Sequence, residues 1–229
     1  NHADDGLNIK NANINIKENY FASNYADQVD LDFVNGIVFN NIFHAQSSKN
    51  TSESNNQSNN GDGLDLSGSN VIVKNNISEN FKDKGFSIGE RSNAILIENK
   101  FNENRSAISV KDESRVYIYK NTFDLNNIDI EMYQKKQIFK EPSVFNLNDD
   151  IKFQINKSNL SNFYTHDDNS LNKKIMNSIL NLSDVDEVFH EINKLKWNKL
   201  KWLLKKNMSS INNIKVFRHE LKYFINNHE

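Results

Sequence analysis

The chain has 229 residues, of which 37% are hydrophobic and 25% charged, and its formal net charge is −2. It has no cysteine, which excludes disulfides, thiolate metal sites and a cysteine nucleophile. No segment approaches the ~20 consecutive apolar residues of a membrane-spanning helix.

A five-residue motif recurs six times, and in each copy two apolar residues flank a polar one. The copies are Asp5–Ile9, Asp27–Leu31, Asp62–Leu66, Lys84–Ile88, Ser106–Val110 and Asn126–Ile130. Apolar and polar residues also alternate after the motif, as at Val71 and Val73, which is the pattern of β-strands. Most copies begin 22 residues after the previous one, as from Asp5 to Asp27 and from Asp62 to Lys84. Strand-containing repeats with a period in this range are typical of a solenoid.

Each repeat also contains an asparagine followed two positions later by an aromatic or aliphatic residue. The pairs are Asn19/Phe21, Asn41/Phe43, Asn75/Ile77, Asn99/Phe101 and Asn121/Phe123. The one long step, from Asn41 to Asn75, contains the Ser/Asn-rich residues 46–60, which we interpret as a polar loop inserted in one coil.

These spacings predict an all-β solenoid, a right-handed parallel β-helix with coils of about 22 residues over residues 1–162. The stacked asparagines would form an internal ladder of side-chain amides, and the paired apolar residues an internal stack. Ser69, Ser92 and Ser114 would form a third ladder at a turn. Because the chain begins inside a repeat, we expect it to be a processed or truncated piece whose earlier coils, and any signal peptide, are missing.

The repeat fades after Lys135-Lys136, and residues 163–229 are predicted to form a small α-helical domain. Ser183 is a plausible N-cap, and apolar residues follow at helical spacing from Val185 to Leu195. Residues 172–229 carry a net charge of +5 and the remainder −7. We interpret the domain as a cap on the open end of the solenoid, with a lysine-rich face toward a membrane or partner as the alternative. The acidic solenoid disfavours nucleic-acid binding.

Stacking places equivalent positions of successive coils side by side. The residues between the two inward apolar positions are predicted to be Asn8, Asp30, Asp65, Ser87, Ser109 and Asp129. The residues after the second apolar position are predicted to be Lys10, Asp32, Ser67, Gly89, Lys111 and Glu131.

Three aspartates, Asp30, Asp32 and Asp65, should therefore converge on one outward surface. Asp27 and Asp62 stack at the entrance of the same strands and would add ligands. Clustered carboxylates repel one another unless a cation or proton joins them, and oxygen ligands suit Ca²⁺, so a calcium site is predicted. The alternative is that aspartates near turns are simply good turn formers.

The following coils place basic and acidic residues beside this cluster. The candidate catalytic residues are Lys84, Lys111, Glu90 and Arg91. The candidate substrate-binding residues are Asp112, Glu131, Lys135 and Lys136. Chemistry at a uronate requires a cation to neutralise the carboxylate and a base to move a proton at carbon. Salt bridges between coils, made by the Glu90-Arg91 and Lys111-Asp112 pairs, are the alternative.

The segments 62–69, 83–92, 110–114 and 133–136 resemble bacterial right-handed parallel β-helix repeat proteins of the pectate-lyase-like superfamily. The resemblance covers about residues 4–160. It implies a secreted, periplasmic or cell-surface protein that acts on or binds an acidic polysaccharide in a lyase- or epimerase-like manner. A non-catalytic surface or structural β-helix, or a glycan-binding module, is the alternative. No catalytic residue is assigned from the resemblance.

Overall fold

The computed structural model describes residues 4–22, 24–45, 61–147 and 153–165, and within these ranges the regular elements are all strands. The first nine are β1 (Leu7–Lys10), β2 (Asn13–Lys17), β3 (Tyr20–Ala22), β4 (Val29–Asp32), β5 (Asn35–Phe39), β6 (Ile42–His44), β7 (Leu64–Ser67), β8 (Asn70–Lys74) and β9 (Ile77–Glu79). The others are β10 (Lys84–Gly89), β11 (Asn93–Ile97), β12 (Lys100–Asn102), β13 (Ser106–Lys111), β14 (Arg115–Tyr119), β15 (Thr122–Asp124), β16 (Ile128–Tyr133), β17 (Ser143–Asn146), β18 (Ile155–Lys157) and β19 (Asn162–Thr165).

The strands form three parallel sheets that run the length of the described chain. Sheet A has the order β1-β4-β7-β10-β13-β16-β18, sheet B the order β19-β17-β14-β11-β8-β5-β2, and sheet C the order β15-β12-β9-β6-β3. Each coil contributes one strand to each sheet before the chain advances, except that the described residues of the last two coils form strands of sheets A and B only. The prediction of a parallel β-solenoid is confirmed, with about six turns of about 22 residues.

One coil is longer than the others. Leu7 pairs with Val29 and Leu64 with Phe86, a step of 22 residues in each case, whereas Val29 pairs with Leu64, 35 residues further on. The predicted inserted loop, residues 46–60, falls in this coil and lies outside the described residues. The predicted helical domain likewise lies outside them from residue 166 onward, while residues 163–165 still belong to β19.

The solenoid interior is filled by the inward apolar residues of all three sheets. The predicted aromatic stack exists at both ends, with ring centroids 5.6 Å apart for Phe21 and Phe43 and 5.3 Å for Phe101 and Phe123. Between them the position in register is Ser78, so the prediction of Ile77 there was wrong. The small Ser78 leaves room for Phe86, whose ring contacts both Phe43 and Phe101 edge-on at 5.7 and 4.8 Å.

The asparagine ladder exists, with one change of member. Each side-chain carbonyl accepts hydrogen bonds from the backbone and side-chain N–H groups of the asparagine one coil earlier, at 2.9–3.0 Å. The members are Asn19, Asn41, Asn76, Asn99 and Asn121. The prediction of Asn75 was wrong by one residue, because the inserted coil is one residue longer than the sequence spacing suggested. Asn75 instead takes the left-handed turn conformation beside the ladder, with φ 56°.

The serine ladder is formed in part. Ser69 Oγ accepts from the backbone N–H of Val34, and Ser92 Oγ from that of Ser69, each at 3.0 Å. Ser114 lies at the equivalent position, but its buried hydroxyl has no hydrogen-bond partner among the described residues. A second amide ladder, which the sequence analysis missed, joins Asn104 to Asn126 at 3.0–3.1 Å.

Within the described ranges, no helix is long and apolar enough to cross a membrane.

Candidate functional site on the outer face of sheet A

A continuous polar column follows the outer face of sheet A, and we call it the outer column. Its members, in coil order, are Asn8, Asp30, Asp65, Ser87, Ser109, Glu131 and Asn156. The sixth member differs from the predicted Asp129, because Ile130 and Met132 are the inward residues of β16 and Ile128 pairs with Ser106 at the corner. Glu131 consequently does not follow Lys111, which pairs with Tyr133.

A second column of aspartates stands at the entrance of these strands and organises the turns. Asp5 Oδ1 accepts a hydrogen bond from the backbone N–H of Asp27 at 3.1 Å, and Asp27 Oδ1 accepts one from that of Asp62 at 2.6 Å. Each carboxylate therefore satisfies a backbone donor of the next coil. The recurrence of aspartate just before the sheet A strands is the sequence signal for these turn-stabilising hydrogen bonds.

Three of the five predicted metal ligands come together. Asp27, Asp30 and Asp65 each offer a carboxylate oxygen, and these three oxygens lie within 4.8 Å of one another. Asp30 Oδ2 accepts a hydrogen bond from Asn8 at 2.6 Å, and the buried Oδ1 of Asp65 has no hydrogen-bond partner among the described residues. We call these three residues the aspartate cluster.

Two members of the cluster, Asp27 and Asp30, lie in environments that favour the protonated carboxyl group. Burial, together with the charges of Asp62 and Asp65, raises the pKa of Asp27 from its ordinary value near 3.8 to about 7. Burial and the charges of Asp32 and Asp65 raise the pKa of Asp30 to about 6. A cation bound between the carboxylates would oppose the same repulsion and favour the ionised forms.

The other two predicted ligands are ion-paired with lysines. Asp32 lies 2.6 Å from Lys10 Nζ. Asp62 Oδ1 lies 3.2 Å from Lys84 Nζ, although burial raises its pKa to about 6 against the opposing effect of that lysine. These two carboxylates already have a cationic partner, so the aspartate cluster is the better-fitting site for an added cation.

Two lysines face the acidic coils, in different environments. Lys84 pairs with Asp62 and Asp83; burial alone would lower its pKa, but these carboxylates outweigh burial and raise it. Lys111 is only 6% exposed, and its Nζ donates a 2.6 Å hydrogen bond to the buried Ser87 Oγ. This hydroxyl is the one acceptor of the Lys111 ammonium among the described residues, which leaves N–H donors for a ligand.

The remaining candidates hold the corner after sheet A together. The Arg91 guanidinium pairs with Glu113 at 3.0 Å and lies 5.2 Å from the centroid of the Phe139 ring, and Glu90 pairs with Lys136. This geometry accounts for Glu90 and Arg91 as structural groups without requiring a role in catalysis.

The candidate substrate-binding residues are also engaged in contacts within the chain. Asp112 is buried, and its Oδ1 accepts from the backbone N–H groups of Lys135 at 2.6 Å and Lys136 at 2.7 Å. Glu131 pairs with Arg105 at 3.3 Å. The role of Asp112 in fixing the loop after β16 has no signal in the sequence, because a bond across 23 residues is visible only once the coils are stacked.

Comparisons of the chain with protein-family models, with curated proteins and with solved structures find no match.

Proposed function

We propose that the outer face of sheet A binds an acidic polysaccharide and that Ca²⁺ bound by the aspartate cluster takes part in this binding. The observation that carries the proposal is the juxtaposition of three converging carboxylates with Lys111 two coils further along the same face. A cation and an ammonium group are the two complements that a uronate carboxylate requires.

The geometry of the aspartate cluster suits calcium. Ca²⁺ binds oxygen ligands at about 2.3–2.6 Å, so two oxygens on one ion are separated by about 5 Å at most. The three oxygens within 4.8 Å meet this limit without movement of the backbone. Asp27 and Asp30 each use one oxygen in a hydrogen bond and retain the other for an ion.

Lys111 would supply the second contact. Its spare N–H donors lie beside Ser87, one coil from Asp65, and the buried hydroxyl of the adjacent Ser109 has no hydrogen-bond partner among the described residues.

The proposal extends to the fold family and the location. We propose that the solenoid is right-handed, since crossover connections between parallel strands are right-handed in about 98% of cases. A right-handed β-helix is the fold of the pectate-lyase-like superfamily, to which we propose the chain belongs. Binding of a polysaccharide implies a secreted, periplasmic or cell-surface protein.

Binding is better supported than catalysis by the described contacts. Lysis or epimerisation of a uronate would need a base, whereas the proposed binding uses Lys111 as an ammonium donor, which has no lone pair to accept a proton. Lys84 is held between two carboxylates and is less suited to accept a proton. A purely structural solenoid is the third candidate.

Retention of the full chain on immobilised alginate and pectate tests the proposal. The wild type should be retained in millimolar calcium and released by a chelator. The Asp65→Asn variant should lose retention, while Asp32→Asn, which changes a carboxylate already paired with Lys10, should keep it. Ultraviolet absorbance of an unsaturated product would indicate a lyase, and altered uronate NMR signals an epimerase.

The metal and the glycan are tested separately by melting experiments without glycan. Calcium at 100 times its dissociation constant should stabilise the wild type by about 2.7 kcal/mol. A melting temperature indifferent to calcium would refute the metal site, and failure to bind either glycan with calcium present would refute the polysaccharide.

A further inference from the structure

Phe33 is an exposed aromatic residue in a backbone conformation that phenylalanine rarely adopts. It lies in the turn between β4 and β5, directly after Asp32, and its φ is 53°. The residue is 59% exposed. A positive φ crowds the Cβ atom of an L-residue against the backbone, and for a bulky side chain it is a genuine outlier. The position therefore combines an unfavourable backbone conformation with an apolar ring in water.

The equivalent positions of the neighbouring coils carry residues that suit this conformation. Asn11 lies there in the preceding coil and Gly68 in the next, with φ 54° and 61°. Glycine and asparagine adopt a positive φ more readily than other residues. In the part of the chain that the structure describes, the other residues with positive φ are glycine or polar, apart from Leu125. A phenylalanine in this turn is an exception to the pattern of the solenoid.

The turn does not need the phenylalanine side chain. The backbone N–H of Phe33 donates to the carbonyl of Ser67 at 2.8 Å, as the N–H of Asn11 donates to the carbonyl of Asp32 at 2.9 Å. Any residue except proline can donate this bond. Unfavourable backbone conformations that the fold does not require are concentrated at binding and catalytic sites. A ligand therefore explains the exposed ring better than the fold does.

The glycine of the next coil makes room for the ring. A Cβ atom added to Gly68 would lie 2.6 Å from both Cδ1 and Cε1 of Phe33, which is closer than such atoms approach. The ring thus extends from its own coil toward the next, which is also the direction from the aspartate cluster to Lys111. Asp32, beside the ring, is paired with Lys10 at 2.6 Å, so its charge repels an anionic ligand less.

We propose that Phe33 is a stacking platform for a pyranose ring of the acidic polysaccharide, at the edge of the face that binds it. This inference rests on the proposed function and adds a contact that does not depend on charge. One face of a pyranose presents C–H groups that can pack on an aromatic ring, while its hydroxyl and carboxylate groups reach polar partners. Calcium and Lys111 would hold carboxylates, and Phe33 would hold a sugar ring.

Titration calorimetry of the full chain with oligogalacturonates in millimolar calcium tests the stacking. Phe33→Asn should weaken the affinity about tenfold, whereas Phe33→Tyr, which keeps a ring, should stay within about threefold of the wild type. Leu125→Asn is the matched control, because it makes the same kind of change at a φ of 53° in the turn between β15 and β16, and it should leave the affinity unaltered. Phe33→Asn should also melt at a temperature no lower than the wild type, since asparagine accepts the turn conformation.

The Asp65→Asn variant separates this inference from the proposed function. If it abolishes binding while Phe33→Asn binds as the wild type does, calcium-dependent binding stands and the stacking is refuted. If only Phe33→Asn weakens binding, the stacking stands and the role of calcium is refuted. A wild type that binds no oligogalacturonate refutes both. A lowered melting temperature of Phe33→Asn would overturn the inference by showing that the ring stabilises the fold, and so would a wild-type dimer that this variant dissociates in sedimentation.

Discussion

The asparagine ladder inside the solenoid and the outer column of sheet A both arise from the stacking of equivalent positions in successive coils. The interactions between their side chains differ in free energy. Both stack one side chain per coil in parallel register. An amide has donors and an acceptor, so each asparagine donates to one neighbour and accepts from the other, as Asn99 does between Asn76 and Asn121. A carboxylate only accepts, and stacking Asp30 on Asp65 brings two like charges together.

Stacked amides therefore stabilise the fold, whereas stacked carboxylates repel one another and destabilise it when they are ionised. The ladder contributes hydrogen bonds in a buried corner, where an unmet polar group is costly. In the aspartate cluster, burial and neighbouring charges instead raise the pKa values of Asp27 and Asp30, so the folded chain resists the ionisation of these two groups. Unfavourable interactions of this kind are common where a protein binds a ligand of opposite charge.

Breaking the ladder should give the largest effect. The Asn99→Leu substitution removes the acceptor of Asn76 and the donor to Asn121 and to the carbonyl of Val73. We expect it to lower the free energy of unfolding by about 3 kcal/mol, since several buried groups lose their partners. Urea denaturation measures the loss.

Asn75→Gly is the matched control for this change, one position from the ladder member Asn76. Asn75 already has a positive φ of 56°, which glycine adopts readily, so its replacement should change stability by only about 0.5 kcal/mol. Equal losses in the two variants would show that the ladder contributes nothing specific.

The pH dependence of stability should reveal the cost of ionising Asp27, which arises from burial and from neighbouring carboxylates, and we expect this effect to be smaller than that of breaking the ladder. The folded pKa of Asp27, about 7, lies above its ordinary value near 3.8, so its contribution to stability is fully present below about pH 4 and is lost as the pH rises through 7. Without calcium, Asp27→Asn should therefore be more stable than the wild type at pH 8, by about 1–2 kcal/mol after allowance for solvent screening. The difference should vanish or reverse at pH 4.

Melting curves of both proteins across this pH range measure the difference. The asparagine can still accept the hydrogen bond from the backbone N–H of Asp62, so the turn is retained. A difference in stability that does not vary with pH would show that Asp27 does not titrate in this range.

Most of the fold could be predicted from the sequence because alternation and repeat spacing are local signals that every coil repeats. The errors fall where local signals are ambiguous. Asn75 and Asn76 are consecutive, and the inserted loop leaves the length of their coil undetermined by the sequence. The spacing of the other asparagines therefore could not decide which of the two belongs to the ladder. In β16, Ile128, Ile130 and Met132 all alternate correctly, and only pairing with β13 identifies the inward two.

The candidate site was less predictable, since columns locate backbone positions but not the ends of long side chains. The clustering of Asp30 and Asp65 followed from stacking alone. The hydrogen bond from Lys111 to Ser87 crosses to a different column and a different coil, and the pairing of Asp32 with Lys10 depends on how far a lysine reaches. Each lysine has several possible partners within reach, and the one it contacts depends on its side-chain conformation. Spacing in the sequence does not determine that conformation.

The smallest effects should come from two aspartates of one strand, and they should have opposite signs. At pH 8 without calcium, Asp30→Asn removes a charge that is repelled by Asp65 and Asp32, while the new side-chain carbonyl can still accept from Asn8. We expect it to raise the free energy of unfolding by about 0.5–1 kcal/mol. Asp32→Asn removes the partner of Lys10, a pair in which the lysine side chain is 56% exposed, and should lower stability only slightly, because solvent screens the pair. Urea midpoints at low salt measure both changes. Stabilisation by both variants would mean that Lys10 does not offset Asp32, and loss of stability in both would remove the evidence that Asp30 is held against repulsion and is available for a cation.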